Sequence, residues 1–291
     1  MPQLIADFAT DFAQIDQQAV WLLPFLPIHH AFKESFAGGE LSDWLNEYFY
    51  QNNLTPTNSS NKPLTFTSQN ALPHGTAYEA FIAKTGKIPT RNNLHDWFGA
   101  CIWSIFPESK ALLNAKHIAN LTDDNQRNRL RDTATIFDEN GAILVVCDDD
   151  VGQSIGASLQ HFDWRNCLVT PRHAWHNPYC ASTNDKAQLF IFGHALLEQL
   201  ITPRKPLCSH TLIITIPAAF FHLSLSAKLH TLDKKLRQTL DALLVDGVTP
   251  RQFNPLPVLG VPHFWQENSD ATFYQDDFVF RAGRQHHKTQ K

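Results

Sequence analysis

The chain has 291 residues, 43% of them hydrophobic and 18% charged, so it is long enough to bury a large core. The formal net charge is −4 with 15 His, which excludes the strongly basic footprint of a nucleic-acid-binding protein. Five Cys, none in a C-x-x-C pair, argue against a disulfide frame or a zinc knuckle and fit reduced thiols in a cytoplasmic protein.

Residues 3–22 carry loose helical spacing in Leu4, Ile5, Phe8, Phe12, Ile15 and Val20, and Pro24 and Pro27 are expected to end that segment. No basic leader marks a secretory signal. The apolar run Ala19–Ile28 is too short to span a bilayer, so no membrane segment is expected. His30 and Glu34 follow at i, i+4. A helix is predicted over Glu40–Tyr50 with Leu41, Trp44, Leu45, Tyr48 and Phe49 on its buried side. Gln51–Pro73, rich in Asn, Ser, Thr and Pro, reads as a polar loop excursion from one domain. Thr76–Lys84 reads as a short helix stopped by Gly86.

The central stretch is Pro89–Lys110. Leu94, Trp97, Phe98, Cys101, Ile102, Ile105 and Phe106 recur with the 3.6-residue period and predict a buried helix capped by Thr90 or Asn92. Its other side carries Asn92, His95, Asp96, Gly99 and Trp103. Pro107 ends this helix and suits the first turn of the next, which runs to about Leu121. After a polar loop at Thr122–Asn128, Thr133–Phe137 and Ala142–Cys147 are predicted as two strands joined at the hairpin signal Asn140-Gly141. Asp148–Asp150 would start a helix to about His161, and Cys167–Thr170 a short strand. Lys186–Ile201 is apolar nearly all round and predicts a buried helix whose central polar groups, His194 and Glu198, share a face. A buried strand over Thr211–Ile216 and an amphipathic helix over Ser224–Leu244 follow. The Pro-rich Asn254–Trp265 is expected to be irregular, and Phe278–Phe280 an edge strand. The class is α+β, a helix-rich single domain over residues 1–283 with a small central sheet, followed by a flexible basic tail at 284–291.

Five blocks in this order, residues 89–98, 106–114, 131–142, 192–198 and 255–262, resemble a bacterial family known as domain of unknown function 3025. The resemblance covers roughly residues 25–283. It implies a single soluble bacterial domain and supplies no activity. Gly99 stands where this family is expected to carry Asn.

Candidate chemistry concentrates in His and carboxylates. His95 and Asp96 open the central helix, where the positive dipole end favours Asp96 and nearby N–H groups would bind an anion. Gly99 one turn on leaves room for a ligand beside Trp103. His194 and Glu198, four apart, would hold one metal ion, or Glu198 would orient His194. Asp132 and Asp138-Glu139 would present a carboxylate cluster at the predicted hairpin. The expected set is thus His95, Asp96, Asp132 and Glu139 as catalytic groups and His194 and Glu198 as metal ligands. Arg91, Asn92, Lys110, Arg131 and Trp103 would receive a small anionic ligand. His and carboxylate without thiolate suit Mn, Fe, Zn or Mg, and the expected function is a metal-dependent, hydrolase-like enzyme. The alternative is a non-catalytic protein whose polar blocks are structural and which binds a macromolecular partner through the Pro-rich end. No Walker A, G-x-G-x-x-G, G-x-S-x-G or H-E-x-x-H motif is present.

Overall fold

The computed structural model describes residues 8–120, 128–180 and 184–283. The basic tail 284–291, Leu4 and Ile5, and most of the polar loop at Thr122–Asn128 lie outside these residues. The elements in chain order are α1 (Leu26–Ser35), α2 (Leu41–Gln51), β1 (Thr65–Ser68), α3 (Tyr78–Thr85), β2 (Lys87–Thr90), α4 (Leu94–Ile105), α5 (Pro107–Ala119) and α6 (Arg129–Asn140). Then come β3 (Gly141–Cys147), α7 (Asp150–Gln160), β4 (Ala187–Ile191), α8 (His194–Gln199), β5 (Cys208–Ile216), α9 (Leu225–Leu243) and β6 (Asn254–Pro257). The fold is helix-rich α+β. Among the described residues no helix is long and apolar enough to cross a membrane, and all five Cys are free thiols.

The chain forms two compact units. The first takes Met1–Ala142, Ile191–Thr202 and Leu223–Gln252; the second takes Ile143–Phe190, Pro203–His222 and Phe253–Lys291. The first unit is helical around an aromatic cluster. Phe32 stacks on Phe36 at 4.4 Å and meets Phe12 and Trp97 at 4.5 Å each. Pro24 and Pro27 do not break a helix here. Pro24 sits in a 3-10 helix, Val20–Phe25, and Pro27 stands in the first turn of α1, where no N–H is needed. Trp97, Phe98, Cys101 and Ile102 on α4 are fully buried, as the periodicity predicted. The cap is Asn93, whose Oδ1 accepts the Asp96 N–H at 2.8 Å. Thr90 instead ends β2, which pairs in parallel with β1. The polar stretch after Gln51 therefore contains a strand, anchored by buried Leu64 and Phe66.

The N-terminus of α5 lacks a local side-chain cap. Asp233 of α9 supplies one from a distance. Its carboxylate accepts the N–H groups of Glu108 (2.9 Å) and Ser109 (3.0 Å) and the Ser109 hydroxyl (2.7 Å). Asp233 is buried, so truncation would leave those donors unsatisfied. Asp233→Ala is expected to lower unfolding free energy by about 2 kcal/mol, measured by urea denaturation, whereas Asp241→Ala on the exposed face should change it little.

Four predicted elements differ. Residues 129–140 form a helix, not a strand and a hairpin. Asn128 caps it, and Leu130, Thr133, Ala134 and Phe137 give a helical buried stripe. Gly141 has φ −73°, ordinary extended backbone rather than a hairpin turn. Glycine is needed there because a Cβ would collide with the carbonyl and ring of Phe137. Lys186–Ile201 splits into buried strand β4 and short helix α8, with the break at Phe192-Gly193. Cys167–Thr170 belongs to a π-helical turn, Arg165–Val169, and Phe278–Phe280 is not a strand.

The second unit is built on most of a four-stranded sheet of order β4-β3-β5-β6. All seven residues of β3 are buried. β5 and β6 are antiparallel, with Cys208 opposite Pro257 and Thr211 opposite Asn254. The Pro-rich end thus contributes an edge strand, where missing N–H groups are tolerated.

Candidate metal centre

Three helix ends within the first unit carry the polar groups. His95 lies in the first turn of α4, Asp138 and Glu139 in the last turn of α6, and His194 begins α8. The last two are held together through backbone. Gly193 N–H donates to the Gly141 carbonyl at 2.8 Å, and a Cβ on Gly193 would strike the backbone of Glu139 and Asn140. The glycine before His194 is what lets α8 approach α6 so closely.

The side chains then interlock. His194 Nδ1 lies 2.8 Å from the Asp138 carbonyl oxygen, which can only accept, so Nδ1 carries the proton. His95 Nδ1 lies 3.1 Å from Glu198 Oε2 and likewise donates to it. Each ring therefore turns its Nε2 atom toward the other. They face each other at 3.1 Å, and Glu139 Oε2 stands 3.5 Å from His194 Nε2. The ligand atoms of His95, Glu139 and His194 all lie within 4.8 Å of one another. Two imidazole nitrogens at this distance need a proton on one of them or a cation between them. Burial foremost, with Lys110 and His95 adding to it against Asp138, holds His194 down at about 4, so its Nε2 is available to accept a proton or a metal ion. Ligands about 2.0–2.1 Å from a tetrahedral ion are about 3.3 Å apart, close to the 3.1 and 3.5 Å found for two of the three pairs.

The carboxylates are tuned as well. Burial pushes Glu139 above the usual carboxylate range, with Asp138 and Glu198 adding to it against His95 and Lys110. It also sits at the negative end of the α6 dipole, where a cation is favoured. Burial pushes Asp138 up too, but Lys110 and His194 outweigh it and hold Asp138 below its ordinary value. Lys110 Nζ lies 2.7 and 2.9 Å from the two Asp138 oxygens.

A cavity of about 190 Å³ opens at His95, Glu139 and His194, lined among others by Tyr78, Arg91, Asp96, Gly99, Trp103 and Lys110. It is smaller than the ~300 Å³ at which drug-sized sites begin.

A family model described as "Protein of unknown function (DUF3025)" matches residues 64–284. The chain belongs to the DUF3025 family. No curated protein and no solved structure matches it. His95, Glu139, His194 and Glu198 all lie within the matched residues of this DUF3025 protein.

The residues singled out by sequence are distributed unevenly. His95, Glu139, His194 and Glu198 converge. Glu198 does so through His95 Nδ1 rather than as a neighbour of His194 on one ion. Asp96 lines the cavity, but its carboxylate is taken by the N–H, Nε and Nη2 of Arg91, so both are already partnered. Lys110 and Trp103 line the cavity. Asn92 does not; it ties the Gly39 carbonyl to the Leu41 N–H. Asp132 is exposed in the first turn of α6, and neither it nor Arg131 lines the cavity. His30 and Glu34 are exposed on α1, away from this centre's lining. Tyr78 and Glu79 on α3 were missed, because nothing in their spacing marks them. The Asp138 carbonyl was missed because a backbone group has no sequence signature.

Glu198 fixes the His95 ring, and such outer partners typically matter 10–100-fold for metal affinity. Glu198→Ala is expected to weaken metal binding about 10–100-fold in a competition titration without abolishing it, while Asn92→Ala leaves affinity unchanged.

Proposed function

We propose that this protein is a metal-dependent, hydrolase-like enzyme in which His95, His194 and Glu139 hold one divalent ion. The observation that carries this is the pair of Nε2 atoms 3.1 Å apart with a Glu139 oxygen 3.5 Å from one of them, each ring locked by an acceptor on its Nδ1. Two His and one carboxylate with an open position suit catalytic Zn, and equally Fe or Mn. A bound ion would lower the pKa of a coordinated water to about 7 and so supply a nucleophile. Glu198 orients His95, the Asp138 carbonyl orients His194, and the Arg91–Asp96 pair braces the cavity wall.

Elemental analysis of untagged protein, with melting before and after a chelator, tests this. Near-stoichiometric metal and a lower melting temperature after chelation are expected, since an ion bound only to the native state stabilises it. A panel of ester, amide and phosphoester substrates, with and without chelator, then identifies the bond cleaved. No metal, and no shift on adding Mn, Fe, Zn or Mg, would overturn the reading.

A further inference from the structure

Two cavity residues have no part in holding the ion. Lys110 reaches in from α5 with only 10% of its side chain exposed, and its Nζ sits 5.6 Å from the centre of the Trp103 ring. An ammonium has three protons, and the two oxygens of Asp138 engage at most two in direct line. One N–H remains for another acceptor. Gly99 lies mid-way along α4, one turn after His95 and one before Trp103. Glycine is among the poorest helix formers, yet nothing local requires it. The backbone is helical, and a Cβ built there meets no atom within 4 Å. What the absent side chain provides is space in the cavity.

The charge lining that space is specific. Arg91 pairs with Asp96 and Lys110 with Asp138, so these four charges are matched, and the Glu79 carboxylate is engaged by the Asn114 amide. Glu139 would offset one charge of a divalent ion and leave one positive charge there, with the remaining Lys110 N–H on another side and an aromatic wall. A monoanion cancels that charge, a cationic ligand would be repelled by it, and a dianion would leave a desolvated negative charge.

We infer that the loaded centre binds a small monoanionic carboxylate, its charge shared by the ion and Lys110, its body over Gly99 against Trp103. This rests on the metal reading above. Lys110 and Gly99 are then specificity-determining residues, one for charge and one for size.

The test uses the full chain loaded with Co(II), whose visible absorption reports ligand exchange. It is titrated with acetate and with acetamide, the uncharged isostere. Acetate should perturb the spectrum at roughly tenfold lower concentration or better, as a hydrogen bond to a charged group implies. Lys110→Met should remove that preference. Because this substitution strands the Asp138 carboxylate, the double variant Lys110→Met/Asp138→Asn is measured beside it; it removes both charges and keeps the carbonyl that holds His194. Gly99→Leu should load Co(II) as the parent does and lose the acetate response. Equal response to acetate and acetamide, retention of the preference without Lys110, or stronger binding of inorganic phosphate would overturn the inference while leaving the metal centre standing. Failure of Co(II) to load the parent would overturn the metal reading and this one with it.

Discussion

Replacing His194 with alanine is expected to reduce bound metal from about one equivalent per chain to below about a tenth, because a site with two remaining protein ligands no longer competes with buffer and water. The difference in stability between metal-loaded and chelated protein should vanish with it. At a free-ion concentration a hundred times Kd that difference is about 2.7 kcal/mol. The effect should be larger than for Glu198→Ala, since His194 supplies a lone pair and Glu198 only holds a ring in place. It should also be distinct from loss of fold. The far-ultraviolet spectrum should be kept, because α8 has only six residues and the aromatic cluster around Trp97 does not include His194. Full metal retention by His194→Ala, measured by elemental analysis, would exclude it as a ligand.

Acidification is expected to destabilise the protein sharply between about pH 6.5 and pH 4, and His29 is a principal cause. His29 is fully buried on α1. Its Nδ1 donates to the Phe25 carbonyl at 2.9 Å, and its Nε2 accepts the Trp97 indole N–H at 3.3 Å. Only the neutral ring can do both. Burial, with a smaller contribution from His30, pushes its pKa down from 6.5 to about 4, although the Phe25 carbonyl pulls the other way. Between those values the unfolded chain binds the proton and the folded chain does not, so stability falls as pH falls through that window. Above it the full stability is present; below about 4 the contribution is lost. The difference corresponds to about 3 kcal/mol for this group. Urea unfolding at pH 7.5 and 4.5 measures it. His29→Gln, which lacks a titrating ring, should be less stable than the parent at pH 7.5 and lose less on acidification. An unchanged acid slope in the variant would contradict the assignment.

The fold was legible where one face of an element meets the core and the other meets solvent. α2, α4, α5 and α9 came through within a residue or two, because Leu41, Leu45 and Phe49, or Trp97, Cys101 and Ile102, recur with one period. It was not legible where that contrast disappears. Ala187–Leu200 is apolar on every side, so the same composition served for a helix and for a strand followed by a short helix. Only Gly193 marked the break. Residues 129–140 failed for another reason. Thr133, Thr135 and Ile136 favour strands by local preference, and Asn140-Gly141 resembles a hairpin turn. The packing of Phe137 against Phe192, 5.0 Å between ring centres, holds the helix instead.

The site was legible one segment at a time. His95 on α4 and His194 with Glu198 on α8 stood out by position and spacing, and Glu139 by its pairing with Asp138. That His95 and His194 meet could not be read, because 99 residues separate them and only tertiary packing joins α4 to α8. Arg131 and Asp132 were expected at the end of a strand. On a helix they fall at its opposite end from Glu139, which is why they drop out. His29 carries no such spacing, and its role shows only in its contacts with the Phe25 carbonyl and the Trp97 indole.

The most direct measurement of the central claim is anomalous X-ray diffraction from crystals grown without added chelator, collected on either side of the absorption edge of the metal found by elemental analysis. One strong anomalous peak is expected about 2.0–2.2 Å from the Nε2 atoms of His95 and His194 and from a Glu139 oxygen. Glu198 should sit outside the coordination sphere on His95 Nδ1. A peak elsewhere, or none at this position from metal-replete protein, would contradict it, and the facing imidazoles would then be an internal brace of the first unit.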